Sequence, residues 1–524
     1  MKFFLLISLF ANFCLFNSYK ILVINPKFGY SHVQFVGRIA ELLAEDGNEV
    51  VQLVVEMDPK IKSNGTEKVK NVIYQSSENV TKRLEKSGKH VNVWDTKFGS
   101  MEQLEALMDI IESCRDVGTQ MIYDKELSKR IKEEKFDMAI SEIFNIFSFG
   151  LFKEWEIETT IAISAIPLVE TYRWFYGMDY PPSYVPGINM NFKDRMTYSE
   201  RASNLINYVI MRLVFELDKT YDYTSLMKIA NPEKNINVEW ECGEVSFLFL
   251  NTHPYLDFPK TLPPKIQEIG GIAIPESKPL SKEWDDILNK REKNVLLSFG
   301  TVVETKNMPL NIRENIMKSF SHFKNVTFIW KVDKDDIDLD KDHGNIIFTS
   351  WVPQSDLLAD DRLDLFITHC GLNSFMEISY LGKVALAIPF LADQFRNSKL
   401  LEKSGAGKAI IKDILEDSNK FTEILDDMLE NQNYKMKANR VKAMIKSRPL
   451  SPKEVFLKHV KIAKEFKKLP ELDLASRDLS FMEYYNLDII LPFIILLILI
   501  FYSILKVTKI VLECLLFSRK EKMD

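Results

Sequence analysis

One stretch limits the possible folds of this chain more than any other. Between Trp351 and Asn397, the apolar run Leu363 to Thr368 reads as a buried parallel strand. It passes directly into His369-Cys370-Gly371-Leu372-Asn373-Ser374 and then into helical spacing through Glu377. A strand that opens into a helix through Gly, Asn and Ser leaves the N–H groups of the first helical turn unpaired and facing an anion. A diphosphate suits that geometry. The spacing alone is compatible with many nucleotide and phosphate binders.

The rest of the chain repeats the strand–helix alternation. A strand over Lys20 to Asn25 is followed by the turn Pro26-Lys27-Phe28-Gly29. Ser31 then reads as the N-cap of a helix with apolar positions Phe35, Ile39, Leu42 and Leu43. Gly47 ends that helix, and Glu49 to Val55 is the next strand, giving the β-α-β opening of a doubly wound sheet. Further strands are predicted at Asp137 to Ser141, Thr160 to Ser164 and near Ser246 to Asn251. From Pro263 to Lys282 the text is loop-like, without periodicity, and reads as a linker. A second half restarts with Val295 to Phe299, then strands at Val326 to Trp330, Ile346 to Thr349, Leu363 to Thr368 and Ala385 to Ile388. Lysine-rich helices follow over Phe421 to Phe466, and Ser480 to Asp488 leads into an apolar run. The fold class is α/β: two Rossmann-like doubly wound domains, at 19–270 and 286–475, joined by a linker at 271–285.

Length agrees, since 524 residues exceed one compact core. The net charge of −6 gives no reason to expect a nucleic-acid partner. Met1-Lys2 and the apolar run Phe3 to Phe16 have the form of a secretory signal peptide, assigned to residues 1–18 with cleavage near Asn17 to Tyr19. A first membrane helix is the competing reading, but the run is short and a globular strand begins at Lys20. Near the other end, Ile489 to Leu505 is free of charge; at ~1.5 Å per residue it spans about 26 Å, adequate for a thin bilayer. Lys506, Lys509, Arg519, Lys520 and Lys522 follow, which places residues 506–524 in the cytosol. Lys520-Glu521-Lys522-Met523-Asp524 resembles a dilysine retrieval signal. The expectation is a type I endoplasmic-reticulum membrane protein with a luminal body. Of five cysteines, Cys14 and Cys514 lie in the terminal segments, and Cys114, Cys242 and Cys370 form no C-x-x-C pair, so zinc and redox readings fail. Asn64, Asn79 and Asn325 head glycosylation sequons; Asn325 opens an apolar strand and is the poorest acceptor.

The order W-x-P-Q, H-C-G-x-N-S-x-x-E and D-Q, long and nearly gapless, resembles the donor-binding signature of the UDP-glycosyltransferases, which include the UDP-glucuronosyltransferases. The resemblance implies the GT-B fold, two Rossmann-like domains facing a cleft, plus a C-terminal transmembrane helix. It implies that Trp351 stacks on the uracil and Gln354 contacts the nucleoside. His369, Gly371, Asn373 and Ser374 would serve the diphosphate, Glu377 the ribose hydroxyls, Asp393 and Gln394 the sugar, and Thr301 the phosphates. Four of these have a plainer alternative: a core residue for Trp351, helix N-capping for Asn373 and Ser374, and a solvated carboxylate for Glu377. Cys370 reads as a packing residue beside the turn. Two departures stand out. Gly382-Lys383-Val384 lacks the usual proline, and Ala392 replaces the usual glycine before Asp-Gln.

The chemistry needs a base for the acceptor hydroxyl and stabilisation of the departing diphosphate. His32, one of seven histidines, sits just after the first strand at a helix start and matches the family's general base in Gly29-Tyr30-Ser31-His32. A helix N-terminus disfavours imidazolium and would help keep it neutral. The family's partner Asp is here Glu142, in Phe136-Asp137-Met138-Ala139-Ile140-Ser141-Glu142, so either the backbone adjusts or another acid serves. Direct attack on the sugar C1 would invert the anomeric centre. No metal and no cofactor beyond the UDP-sugar co-substrate are expected, and Asp338-Leu339-Asp340 reads as a solvated loop rather than a D-x-D metal clamp. The aromatic segment Tyr172 to Met190 fits a lipophilic acceptor pocket, a bilayer contact or plain packing. The expected partners are UDP-glucuronate or UDP-glucose, a small lipophilic acceptor and a membrane, with an oligomer left open. A catalytically silent UDP-sugar or lipid-binding homologue is the alternative. A NAD-dependent oxidoreductase fails for want of G-x-G-x-x-G between Lys20 and Gly37.

Overall fold

The computed structural model describes residues 18–520, apart from 91, 98, 179, 218–221, 302 and 335–343. The signal-like run Phe3 to Phe16, Cys14, Asp338-Leu339-Asp340 and residues 521–524 of the dilysine pattern lie outside the described residues.

Apolar runs that are buried on both faces can only be interior strands of parallel sheets, and the chain builds two of them. The first contains β1 (Lys20–Pro26), β2 (Glu49–Glu56), β3 (Lys70–Gln75), β4 (Met138–Glu142), β5 (Thr159–Ser164), β6 (Phe247–Leu250) and β7 (Ile266–Glu268), in the order β3-β2-β1-β4-β5-β6-β7. The second contains β8 (Lys293–Ser298), β9 (Val326–Lys331), β10 (Ile346–Thr349), β11 (Leu363–Thr368), β12 (Val384–Ala387) and β13 (Gly407–Ala409), in the order β10-β9-β8-β11-β12-β13. Neighbouring described strands pair in parallel throughout. In both sheets the strand order reverses beside the first strand, between β1 and β4 and between β8 and β11. A crevice opens at such a switch point, beyond the carboxyl ends of the strands. Ile24 stands opposite Ser141, and Thr368 opposite Ser298, so the residues after these pairs emerge at the same sheet edge.

Several expectations need correction. The first helix runs Tyr30–Glu45 with Gly29 at the N-cap and no side-chain cap bond, so Ser31 lies inside the first turn. Part of the stretch read as linker is the edge strand β7, and the helix Lys282–Leu288 begins before residue 285. Edge strands as short as β7 and β13 are too brief to show periodicity. The helix Pro452–Phe466, opened by a Ser451–Glu454 capping box, packs Val455, Phe456, Val460 and Ala463 into the core formed by Ile21, Val23 and Phe249 of the first sheet. The segment assigned to 286–475 therefore returns to the first domain before it ends.

The domains are tied together directly. Trp94, from the first half, packs edge-on against Phe299 and Phe390 of the second. Lys412 donates to the carbonyls of Val93, Trp94 and Thr96 around it. Burying a side chain of this size contributes roughly 1.5–3 kcal/mol. At the C-terminus one helix, Leu487–Lys520, continues through Lys506 and Lys509, so the expected span 489–505 is only part of it and the expected tail begins helical. The reason is visible in the text: apolar residues resume at Ile510-Val511-Leu512, and neither Gly nor Pro occurs between Lys506 and Lys520. Its apolar part, Leu487–Leu516, is long and apolar enough to cross a membrane, and none of it is buried against the protein.

Candidate active site

At the first switch point the turn after β1 delivers His32 into the opening turn of its helix, and β4 ends on Glu142. The register of β1 with β4 makes the two meet: Nδ1 of His32 lies 2.7 and 2.8 Å from the two carboxylate oxygens of Glu142. Glu142 is fully buried and also accepts from the backbone N–H of Ala165 at 3.0 Å. The longer side chain is thus accommodated, and the acid that the His32 ring meets is Glu142. With Nδ1–H donating to a carboxylate, Nε2 remains as the proton acceptor.

Burial lowers the basicity of His32, but the charge and hydrogen bond of Glu142, helped by Asp393, outweigh it and leave the pKa raised. The net shift is thus opposite in direction to the help toward neutrality expected of the helix N-terminus. Phe28, with ring centroid 4.6 Å from His32, and Phe144, 4.9 Å from Phe28, give the histidine an aromatic wall. Neither was singled out in the sequence; both become visible only when the turns after β1 and β4 are side by side.

At the second switch point β11 opens into the helix Leu372–Leu381, whose N-cap is Gly371 and which no side chain caps. Asn373 instead meets Asn251 of the first domain at 3.4 Å, and Ser374 accepts from Gln354 at 3.4 Å. The capping alternative for these residues is not realised. The ring of His369 is sandwiched between two glycines. A Cβ on Gly300, where φ is +78°, would come within 2.6 Å of the ring, and one on Gly371 within 2.7 Å. Burial and the nearby Lys331 lower the pKa of His369 to about 4, only partly opposed by the Ser298 backbone. The ring is therefore neutral at neutral pH and can donate a hydrogen bond to phosphate without bringing charge.

A cation stands beside the ring: Lys331, at the end of β9, whose Nζ donates to the carbonyl of Gly300 at 2.7 Å. The sequence reading missed it, because a Lys closing a strand has no local signature. Lys331→Met is expected to raise the Kd for UDP by about 10- to 100-fold, the worth of a charge-assisted bond, while uridine binding is unchanged. Titration calorimetry with the two ligands checks this.

Trp351 is 65% exposed, which answers the core alternative. Its backbone carbonyl is held by the Thr349 hydroxyl at 2.8 Å. Gln354 Nε2 donates to Glu377 at 2.5 Å, and the Ser355 hydroxyl bonds the other carboxylate oxygen. Glu377 is buried, not solvated, and burial raises its pKa against the two hydrogen bonds. Thr301 is exposed beside Gly300.

Asp393 opens the helix Gln394–Ser404, accepts from Asn397 at 2.8 Å, and is close enough to His32 for their charges to interact. Gln394 turns its Oε1 onto the backbone N–H groups of Phe390 and Leu391. Ala392 has φ +52°, the left-handed conformation that explains why glycine is usual there. Ala392→Gly is expected to stabilise the fold by about 0.5–1 kcal/mol, the left-handed penalty less the entropy of an extra glycine, read as a small rise in Tm. At the other departure, Lys383 is buried with its ammonium on the carbonyls of Asp360 and Leu363, and burial lowers its pKa to about 8. Cys114, Cys242 and Cys370 are all free and buried, and burial pushes each thiol up. Asn79 is exposed on its helix, whereas Asn64 bonds Lys27 and Glu67 and its sequon Thr66 is buried.

Two doubly wound domains, with a histidine–carboxylate pair at the switch point of one and an uncapped strand-to-helix turn at that of the other, have the architecture of a GT-B glycosyltransferase. Residues 19–522 match the family described as UDP-glucoronosyl and UDP-glucosyl transferase, and the chain belongs to it: it is a UDP-glycosyltransferase. It is 28% identical over 526 residues to Putative UDP-glucuronosyltransferase ugt-48 of Caenorhabditis elegans, covering 97% of each chain. Among solved structures it shares its fold with the glycotransferase of kitacinnamycin (TM-score 0.57, 14% identity, 86% of this chain and 99% of that one). It also shares it with Phytolacca americana UGT2, solved with UDP-2fluoro-glucose and pterostilbene (TM-score 0.54, 14% identity, 86% and 100%).

Proposed function

We propose that this protein transfers glucuronic acid or glucose from the UDP-sugar to a hydroxyl of a small lipophilic acceptor, with inversion and with His32 as the base. One observation supports this above the rest: a buried Glu142 holds the imidazole by Nδ1, so that Nε2 is outside that bond, with Asp393 of the donor domain nearby. The acceptor hydroxyl, lying against Phe28 and Phe144, gives its proton to Nε2 as its oxygen attacks C1 of the sugar. Glu142 stabilises the imidazolium that forms. UDP leaves into the helix N-terminus, His369 and Lys331, which meet the charge that develops on its phosphate. Trp351 would stack on the uracil, and Glu377, set by Gln354 and Ser355, would accept the ribose hydroxyls. The Leu487–Leu516 helix would anchor the protein in the endoplasmic-reticulum membrane with its catalytic domains in the lumen, and Asn79 is the better placed glycan acceptor.

The test is UDP release by detergent-solubilised protein, given UDP-glucuronate and UDP-glucose separately over a panel of phenols and sterols. Acceptor-dependent release with one donor identifies that sugar. No release with either, despite UDP binding, would leave a UDP-sugar binder without this activity.

A further inference from the structure

Three neighbouring strands of the first sheet, β4, β5 and β6, end side by side: Glu142 stands opposite Ile163, and Ser164 opposite Leu250. The residues at and just past these ends are joined in series. The backbone N–H of Ala165 donates to Glu142 Oε1 at 3.0 Å, and the carbonyl of the same residue accepts from Asn251 Nδ2 at 3.1 Å. The backbone N–H of Asn251 is itself held by the Ser164 carbonyl at 2.9 Å. Asn251 Nδ2 also donates to the second domain, to Asn373 Oδ1 at 3.4 Å, in the first turn of the helix Leu372–Leu381. One peptide group and one amide thus link the His32–Glu142 pair to the turn of the other domain.

The chemistry of this series decides which way each amide faces. A backbone carbonyl only accepts, so Ala165 requires the NH2 end of Asn251. Asn251 is 2% exposed, and its nitrogen has two hydrogens, one for Ala165 and one for Asn373. Opposite such a donor, Asn373 turns its carbonyl oxygen to the first domain and keeps its own NH2 group uncommitted. Among the described residues that NH2 donates to no protein acceptor, and Asn373 is only half-buried. An anion at a helix start is bound by donors. The opposite orientation of the Asn373 amide would present oxygen lone pairs to it instead.

We infer that Asn251 is a positioning residue for the donor: it holds Asn373 by its oxygen, so that the NH2 end of Asn373 is the one available to the diphosphate. This rests on the reading of Asn373 as a diphosphate contact. The last bond of the series joins the two domains, so the Asn373 amide is set only where the first domain, with His32, lies against the second. Were Asn251 present only to satisfy the Ala165 carbonyl, its worth would be to the fold and indifferent to Asn373.

The test is the Kd for UDP and for uridine, measured by titration calorimetry on the full-length protein in detergent. The variants are Asn373→Ala, Asn251→Ala, Asn251→Ser and the double variant N251A/N373A. Serine keeps a hydroxyl donor beside the Ala165 carbonyl, which guards against a loss of folding in the alanine variant. Uridine carries no phosphate and should bind every variant alike, which also establishes that each is folded. Asn373→Ala should weaken UDP by about 10- to 100-fold, the worth of a bond to a charged group. Asn251→Ala and Asn251→Ser should each weaken it by about 3- to 10-fold, the worth of one neutral hydrogen bond. In the double variant the loss should equal that of Asn373→Ala alone, because the two residues act as one unit. Unchanged UDP affinity in both Asn251 variants, or losses that multiply in the double variant, would overturn the inference and leave Asn373 as a diphosphate contact. A parallel loss of uridine affinity would also overturn it, by showing a role in the fold alone. Unchanged UDP affinity in Asn373→Ala would overturn the diphosphate reading and the inference with it.

Discussion

Replacing His32 by alanine is expected to lower acceptor-dependent UDP release by about 100- to 10,000-fold, the usual worth of a positioned general base, with UDP affinity unchanged. Among the described residues the imidazole meets Glu142, Phe28 and Phe144, all of the first domain, so the loss should fall on kcat and not on donor binding. Glu142→Gln separates positioning from basicity. In the wild type the pKa of His32 stands above the ordinary 6.5, because Glu142 and Asp393 overcome burial. The acid limb of kcat/KM, which reports the free enzyme's base, should therefore lie above that value, and activity should fall as the pH drops through it. With glutamine, burial prevails and the limb should move to lower pH while the plateau rate falls. A residue that only supported the fold would lower the rate without moving the limb.

Asp257→Ala is expected to have the largest effect on stability. Its carboxylate is almost fully buried between Arg396, at 2.5 Å, and Lys260, and it also accepts from the backbone of Phe258 at 2.7 Å. Removing it strands two buried cations, which costs about 3–5 kcal/mol and should appear as a lower denaturant midpoint at constant m. The double variant D257L/R396L should recover part of the loss, since one stranded charge goes with its partner. Burial opposes ionisation of Asp257, but Arg396 and Lys260 hold its pKa well below the ordinary 3.8. Because the folded-state pKa is depressed, its contribution is present above that ordinary value and is lost as the pH falls below it. Arg396 also shares a helix with Asp393 and Gln394, so the single variant should lose activity in parallel.

Much of this arrangement could be read from one dimension. Interior strands such as Leu363–Thr368 are apolar runs, broken here only by Asp364, and their bounds follow from where the run ends. The turn after β11 and the His32–Glu142 pair were legible because the residues around them match the family's motifs at the carboxyl ends of strands, where a doubly wound sheet places its ligands. What escaped depends on neighbours distant in sequence. Lys331 matters because β9 ends beside Gly300, and Phe28 and Phe144 because β1 and β4 are adjacent. The return of Pro452–Phe466 to the first sheet rests on Phe456 meeting Phe249, a pairing that no local periodicity announces. Ser31 misled for a local reason: Gly29 already takes the extended conformation of an N-cap, so the helix begins one residue before the serine.

The measurement closest to the central claim is the configuration of the product, read from the anomeric proton by NMR after incubation with the donor sugar and a phenol that support UDP release. Direct attack by an oxygen deprotonated at His32 on an α-linked UDP-sugar predicts a β-glycoside. An α-glycoside would contradict the account, because retention requires a mechanism other than the single displacement that His32 and Glu142 are placed to serve.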